Sequence, residues 1–200
     1  MIVRALSGAV YVGLIVASLL LGAPYFALLM AIFALLGVNE LQRLLSGVVP
    51  VGLSGRVLDY LMIVCTFGAF TYLDSGIAIF FVFALLYLPL RIIAAVMSRE
   101  ENPARALMYS LFSLFYIGFP LVTLTFACYG WSKLILLTFI IIWLNDTGAY
   151  LTGCTMGRTK LCERLSPQKT WEGFWGGFIL SAIAGGIGLY LLVGSHSWSA

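Results

Sequence analysis

Apolar residues run through the chain in long uninterrupted stretches, separated by a few short polar ones. Seven stretches stand out, at about 5–22, 24–39, 57–73, 76–97, 105–127, 133–152 and 173–194. A helix needs about 20 apolar residues to cross a hydrocarbon core, and most of these runs approach that length. Backbone groups in lipid must be hydrogen-bonded within their own segment, so the runs predict helices. They do not alternate between apolar and polar positions as the strands of a membrane β-barrel do. The pattern predicts an all-α, polytopic transmembrane helix bundle of about seven spans, with residues 1–200 forming a single transmembrane domain. The third run is short and carries Asp59 near its start. Pro89 and Pro120 fall inside the fourth and fifth, where neighbouring groups can satisfy the carbonyls a proline frees. The first run follows Arg4 and leads through Gly22-Ala23-Pro24 straight into a second apolar run, unlike a removable signal peptide.

Composition agrees with this pattern. Hydrophobic residues make up 62% of the chain and charged residues 10%, against about 25% charged in a soluble domain. Too few polar side chains exist to cover a water-facing surface, so lipid is the expected solvent. The four cysteines, at positions 65, 128, 154 and 162, form no C-x-x-C pair and are expected to be unpaired small side chains. His196 has no partner residue near it in sequence and is read as incidental.

Charge predicts orientation, because Lys and Arg in short loops stay on the cytoplasmic side. With the N-terminus inside and seven alternating spans, Arg4, Arg43, Arg56, Arg91, Arg99, Arg105, Arg158, Lys160, Arg164 and Lys169 fall inside or at the inner boundary. Only Lys133 falls outside. The inner loops are then about 40–56, 98–104 and 153–172, and the outer ones are short, at Asp74-Ser75 and from Tyr129 to Ser132. Arg43, Arg91 and Arg105 are read as snorkelling anchors, which would also attract anionic lipid headgroups. Glu40 and Arg43, three apart, can pair on one helix face.

Asp146 stands apart from these. It follows the apolar run Leu134–Leu144, in a helix expected to continue to about Leu151. A carboxylate at membrane depth costs about 2.5–3.5 kcal/mol on insertion scales and generally faces the bundle interior with a partner. A metal ligand or ion-path residue is favoured over a structural Asp paired with an Arg or hydrogen-bonded to Ser or Thr. The stretch that follows, from Gly153 to Glu172, holds four positive and two negative side chains. Within it Ser166-Pro167 reads as an N-cap and first helical residue, which would place Gln168 and Lys169 in the first turn of a helix. The positive helix end and Lys169 would then point at one phosphate, and Asp146 nearby could hold Mg²⁺ bridging phosphate oxygens. Gly173 and Gly177 form a G-x-x-x-G that permits close helix approach, with packing inside the chain the favoured use.

These residues resemble a known family, the phosphatidate cytidylyltransferases (CDP-diacylglycerol synthases). The likeness lies in Asn145-Asp146-Thr147-Gly148-Ala149-Tyr150, Gly157-Arg158, Ser166-Pro167-Gln168-Lys169-Thr170-Trp171-Glu172-Gly173 and Gly176-Gly177, in that order over 33 residues. The opening Arg4-Ala5-Leu6-Ser7-Gly8 is also similar. The resemblance implies transfer of a cytidylyl group from CTP to phosphatidate, giving CDP-diacylglycerol and pyrophosphate in phospholipid biosynthesis. It implies Asp146 as metal ligand, Lys169 as a catalytic phosphate contact, and Arg158, Lys160, Ser166, Thr170 and Glu172 as substrate-binding residues. Trp171 would lie at headgroup level or pack. The implied cofactor is Mg²⁺, with a second cation left open. The implied partners are CTP, phosphatidate and membrane lipids, with no nucleic acid and with a homodimer left open. The implied location is a bacterial-type inner membrane, with the N-terminus and the active-site loop 153–172 cytoplasmic.

Two departures accompany the likeness. Position 168 is Gln where family members usually carry Lys. The family's later Lys-Asp, His-Gly-Gly and Asp-Arg-x-Asp segments are absent, so the chain is expected to be a piece of a longer protein, and this truncated form need not be active alone. The rival readings are an ion-coupled membrane transporter, a CTP-dependent lipid-alcohol kinase and a non-catalytic scaffold. The transporter would predict internal repeats, and none is visible.

Overall fold

In a computed structural model, helices carry nearly all of the chain. Residues 2–47, 51–72, 76–98 and 100–194 are described, without side chains at 2–5, 70, 72, 76–80, 193 and 194. The side chain of Arg4, residue Arg99, the Asp74-Ser75 turn and His196 therefore lie outside the described residues. The elements are α1 (Ile2–Leu21), α2 (Ala23–Leu45), α3 (Leu53–Tyr72), α4 (Gly76–Met97), α5 (Pro103–Ser113), a π-helical segment (Leu114–Gly118), α6 (Phe119–Met156), β1 (Lys160–Cys162), β2 (Ser166–Thr170) and α7 (Trp171–Gly194).

The surface is apolar where a soluble protein's would be polar. Leu20, Leu36, Leu85, Ile93 and Phe115 are exposed, whereas Ser18, Thr66, Ser110, Ser113 and Thr125 are buried. Many hydroxyls are satisfied within their own helix. Those of Thr66, Ser113, Thr125, Thr138 and Thr152 each donate to the carbonyl four residues back. This is the arrangement lipid demands, and the molecule is a membrane helix bundle. Among the described residues, Ala23–Leu45, the 54-residue run Pro103–Met156 and Trp171–Leu192 are long and apolar enough to cross a bilayer, and Leu6–Leu21 and Phe81–Met97 are shorter apolar helices. Helix α3, with Arg56 and Asp59, belongs to neither group, so the expected count of seven rests on hydropathy alone.

The chain divides into two compact units, Met1–Gly130 and Trp131–Ala200. The expected outer loop from Tyr129 to Ser132 is not a loop. α6 runs through it with one non-helical residue, Trp131, at φ −138° and ψ 38°.

In the first unit α1 packs on α2, and α3 packs on both α2 and α4. Its centre is polar. Asp59 is fully buried and accepts hydrogen bonds from Gln42 Nε2 at 2.5 Å and from Tyr87 Oη at 2.6 Å. Arg91, also fully buried, forms an ion pair with Glu100 at 3.2 Å. Glu100 accepts in addition from the backbone N–H of Gly52 at 3.0 Å. The reading of Arg91 as a snorkelling anchor is thus overturned: a carboxylate nine residues on gives its charge a partner inside the protein. Arg43 and Arg105 are exposed, as an anchor requires, and Glu40 and Arg43 form the expected pair at 3.9 Å.

Pro120 explains the π-helical segment before it. A proline has no N–H and its ring crowds the carbonyl four residues back. The backbone widens by one residue, and Phe119 N–H bonds Leu114 O, an i to i−5 step. An apolar cavity of about 310 Å³ lies beside this widened turn, lined by Phe67, Tyr87, Leu114 and Gly118 among others.

In the second unit α6 and α7 run antiparallel, joined by the β1–β2 hairpin. Glycines line their seam. A Cβ on Gly173 would sit 2.8 Å from Ala149 O, and one on Gly177 would sit 2.6 Å from Asn145 O. Gly176 faces Thr152, and Gly188 faces Leu137. The G-x-x-x-G packs within the chain, as its reading favoured.

Breaking a buried ion pair by removing one partner costs about 3–5 kcal/mol, while replacing both by apolar groups can be near neutral. Arg91→Met is therefore expected to lower the melting temperature of the detergent-solubilised protein sharply, and Arg91→Met with Glu100→Met to restore most of the loss. Equal melting of wild type and the single variant would contradict a buried pair.

Candidate active site

The polar residues that follow the apolar part of α6 are organised by the hairpin. Lys160 pairs with Thr170 and Cys162 with Ser166, with an irregular step between. This corrects the expected helix start at Ser166-Pro167. Residues 166–170 are a strand, and α7 begins at Trp171. Both strands of a two-stranded sheet are edges, where a proline is tolerated because its missing N–H need not face a partner. Pro167 contributes its carbonyl instead, which accepts from Lys160 Nζ at 2.6 Å. The N-cap is Thr170, whose Oγ1 accepts from Gly173 N–H at 3.2 Å. The joint dipole-and-Lys169 phosphate site at a helix starting near residue 168 is therefore not formed.

Glu172, in the first turn of α7, accepts from the backbone N–H groups of Arg158 and Thr159, each at 3.1 Å. Trp171 N–H donates to Thr159 O at 2.9 Å. Together these bonds clamp the chain leaving α6 to the start of α7. Glu172, expected to bind substrate, is engaged in holding the loop. Thr170 is likewise committed: it is buried, caps α7, and packs against Gly153 and Gly157 of the chain leaving α6.

Of the named site residues, Arg158, Lys169 and Asp146 keep side chains without a partner among the described residues, while Lys160 is exposed but tied to Pro167 O. Arg158, Lys160 and Lys169 are exposed, and Ser166 is half-buried. Asp146 is exposed on α6 with no hydrogen bond or ion pair among the described residues, so the structural pairing with an Arg is absent there. It does not face the unit's interior as expected. Neighbouring Asn145, Gly148, Ala149 and Thr152 form the stripe that meets α7, and Asp146 lies on the flank of that stripe. It precedes Gly153, on which Thr170 packs, by seven residues, or about 10 Å of helix rise. No contact joins Asp146 to Lys169 among the described residues.

No group of three or more His, Cys, Asp or Glu residues able to hold a metal occurs among the described residues. A lone carboxylate still fits the Mg²⁺ pattern, in which one or two carboxylates act together with substrate phosphates. All four cysteines are free, as expected, with Cys128 buried and Cys154 and Cys162 exposed.

The profile of the Cytidylyltransferase family matches residues 2–199. The chain belongs to that family. Among its relatives is a phosphatidate cytidylyltransferase of Staphylococcus saprophyticus, 39% identical over 88 residues, which are 44% of this chain and 34% of the relative. Phosphatidate cytidylyltransferases of Staphylococcus epidermidis and Staphylococcus aureus are similar at 36% and 39% over the same coverage. The chain thus aligns with about a third of the length of these curated relatives. No solved structure matches.

In this cytidylyltransferase-family chain, two further features shape the site. The Glu172 clamp joins residues 14 and 13 apart, which no periodicity reports, whereas the aromatic face of α7 follows the i, i+3, i+4, i+7 spacing of one helix face. Trp171, Phe174, Trp175 and Phe178 stack edge to face along it, away from the glycines, with centroids 5.8, 5.4 and 5.8 Å apart. Such a row suits the membrane–water boundary.

Glu172→Ala removes the acceptor for two backbone N–H groups and should loosen the hairpin. Trypsin should then cut after Arg158 or Arg164 several-fold faster than in wild type. Unchanged cleavage would mean that the hairpin is held by its strand pairing alone.

Proposed function

We propose that the protein transfers the cytidylyl group of CTP to phosphatidate, releasing pyrophosphate and leaving CDP-diacylglycerol in the membrane. A phosphate oxygen of phosphatidate attacks the α-phosphorus of CTP. The bond from that phosphorus to the oxygen bridging to the β-phosphate breaks, and pyrophosphate departs with the electron pair. Two polyanions must meet, so neutralising and positioning charge dominates the task, and no strong base is needed.

The observation that carries this reading is Asp146, an unpartnered carboxylate on an apolar helix of a chain matched over residues 2–199 by the Cytidylyltransferase family. A charge there is costly unless a ligand compensates it. Asp146 would hold a divalent cation such as Mg²⁺, which when bound would supply positive charge against the phosphates. Lys169 would contact phosphate, with Arg158 and Lys160 beside it. Gln168 leaves this set one cation short of the usual family pattern. The Glu172 clamp keeps the hairpin and its cations next to α6.

The hydrophobic substrate would arrive through the bilayer and the nucleotide from the cytosol, at the inner end of the helices. The bias of Lys and Arg toward one side supports a cytoplasmic N-terminus and hairpin, and the bacterial relatives support a bacterial-type cytoplasmic (inner) membrane.

In the full-length protein, Asp146→Asn is expected to lower Mg²⁺-dependent formation of CDP-diacylglycerol at least a hundredfold with expression unchanged, about the scale of losing a principal charge-stabilising group. Incorporation of radiolabelled CTP into lipid reads the outcome. Normal turnover by the variant would exclude the metal role.

A further inference from the structure

The 310 Å³ cavity beside the π-helical segment has a buried floor and an open rim. Ile63, Phe67, Gly118 and Val122 line the floor, whereas Leu88, Phe115 and Phe119 at the rim are exposed. We propose that this crevice holds one acyl chain of a bilayer phospholipid, in a site built into the first unit.

The lining offers a polar ligand little. Its two hydroxyls both donate elsewhere, Tyr87 Oη to Asp59 at 2.6 Å and Thr66 Oγ1 to Met62 O at 2.7 Å. Depth excludes a headgroup. The lining residues 62–67 of α3 and 84–88 of α4 lie near the middle of their helices, the level of the hydrocarbon layer.

Apolar lining alone gains nothing in lipid, because hydrocarbon tails are as apolar as leucine. What sets the crevice apart is space that the protein leaves unfilled. Gly118 is buried, yet a Cβ there would meet no atom within 4 Å. The glycines of the α6–α7 seam let backbones touch, and this one leaves a void instead. It stands at the end of the turn that Pro120 widens, so the opening is written into the sequence. A void forfeits the dispersion contacts of the atoms around it. Apolar cavities about half this volume stay dry and take up small hydrocarbons. An acyl chain entering over the exposed rim restores the missing contacts without leaving the hydrocarbon layer.

The crevice shares no residue with Asp146, the hairpin or α7, so the proposal stands apart from the transfer reaction. To test it, the full-length protein is placed in phosphatidylcholine nanodiscs that contain a phosphatidylcholine with a diazirine midway along one chain. Ultraviolet light turns the diazirine into a carbene that inserts into adjacent bonds, and mass spectrometry of the digested protein locates the adducts. Exposed Ile183 and Ile187 of α7 report contact with the surrounding lipid. In wild type, the buried floor residues Ile63, Phe67 and Val122 should be labelled at least as heavily as these two. Gly118→Leu, which puts a side chain into the void, should lower floor labelling several-fold and leave α7 labelling unchanged, with melting curves to check its folding. The same probe with a phosphatidylglycerol headgroup should label the floor equally.

Unlabelled floor residues in wild type, beside normally labelled α7, would overturn the proposal, whether the crevice is then empty or covered by a second copy of the chain. This comparison decides the matter even if Gly118→Leu does not fold. Floor labelling that persists undiminished in folded Gly118→Leu, or that requires the anionic headgroup, would also overturn it.

Discussion

The close approach of α6 and α7 governs the candidate site. Hydrocarbon tails are as apolar as leucine, so two helices in lipid gain little by hiding apolar surface from one another. They associate where their backbones can come near, and the seam from Gly188 against Leu137 to Gly173 against Ala149 has no room for further side-chain atoms. One face of α7 is given to glycine for that contact and the opposite face to aromatic rings. The end of the seam determines where the hairpin emerges, and Thr170 closes it by packing against Gly153 and Gly157 while capping α7. The free cations of the hairpin and the carboxylate of Asp146 share this support.

The centre of the first unit handles charge in the opposite way. Arg91, Glu100, Asp59, Tyr87 and Gln42 are buried and almost fully paired. Satisfied ionic groups inside a bundle tie distant segments together, and Glu100 does so by reaching both Arg91 and Gly52 N–H. Such a network specifies packing. The charges of the second unit are mostly exposed and unpaired, as groups awaiting a polyanionic ligand would be. The contrast separates structural from functional charge more sharply than residue type does.

What could be read from the chain alone follows from the range of each interaction. The apolar helices were legible because lipid imposes a long, simple pattern. The Glu40–Arg43 pair and the glycine contact were legible because they depend on spacings of three and four residues within one helix. Arg91 was misread because neither its burial nor its partner across the α4–α5 turn leaves a local mark. Asp59 meets Tyr87 from 28 residues away, which no periodicity reports. Ser166-Pro167 misled for another reason: the pair has the chemistry of a helix start, but the nearby strand Lys160–Cys162 offered the same backbone a ladder. The residues of the candidate site were named from family likeness, and folding sorted them into holders, such as Glu172 and Thr170, and free groups, such as Asp146 and Lys169.

The central claim is that Asp146 and the hairpin act on one phosphate-bearing ligand through a shared divalent cation. Mn²⁺ in place of Mg²⁺ makes this visible by pulsed electron paramagnetic resonance on the full-length protein. The account predicts that Mn²⁺ binds tightly only together with CTP, shows coupling to phosphorus nuclei, and loses both properties in Asp146→Asn. Phosphorus coupling that persists unchanged in that variant would contradict it.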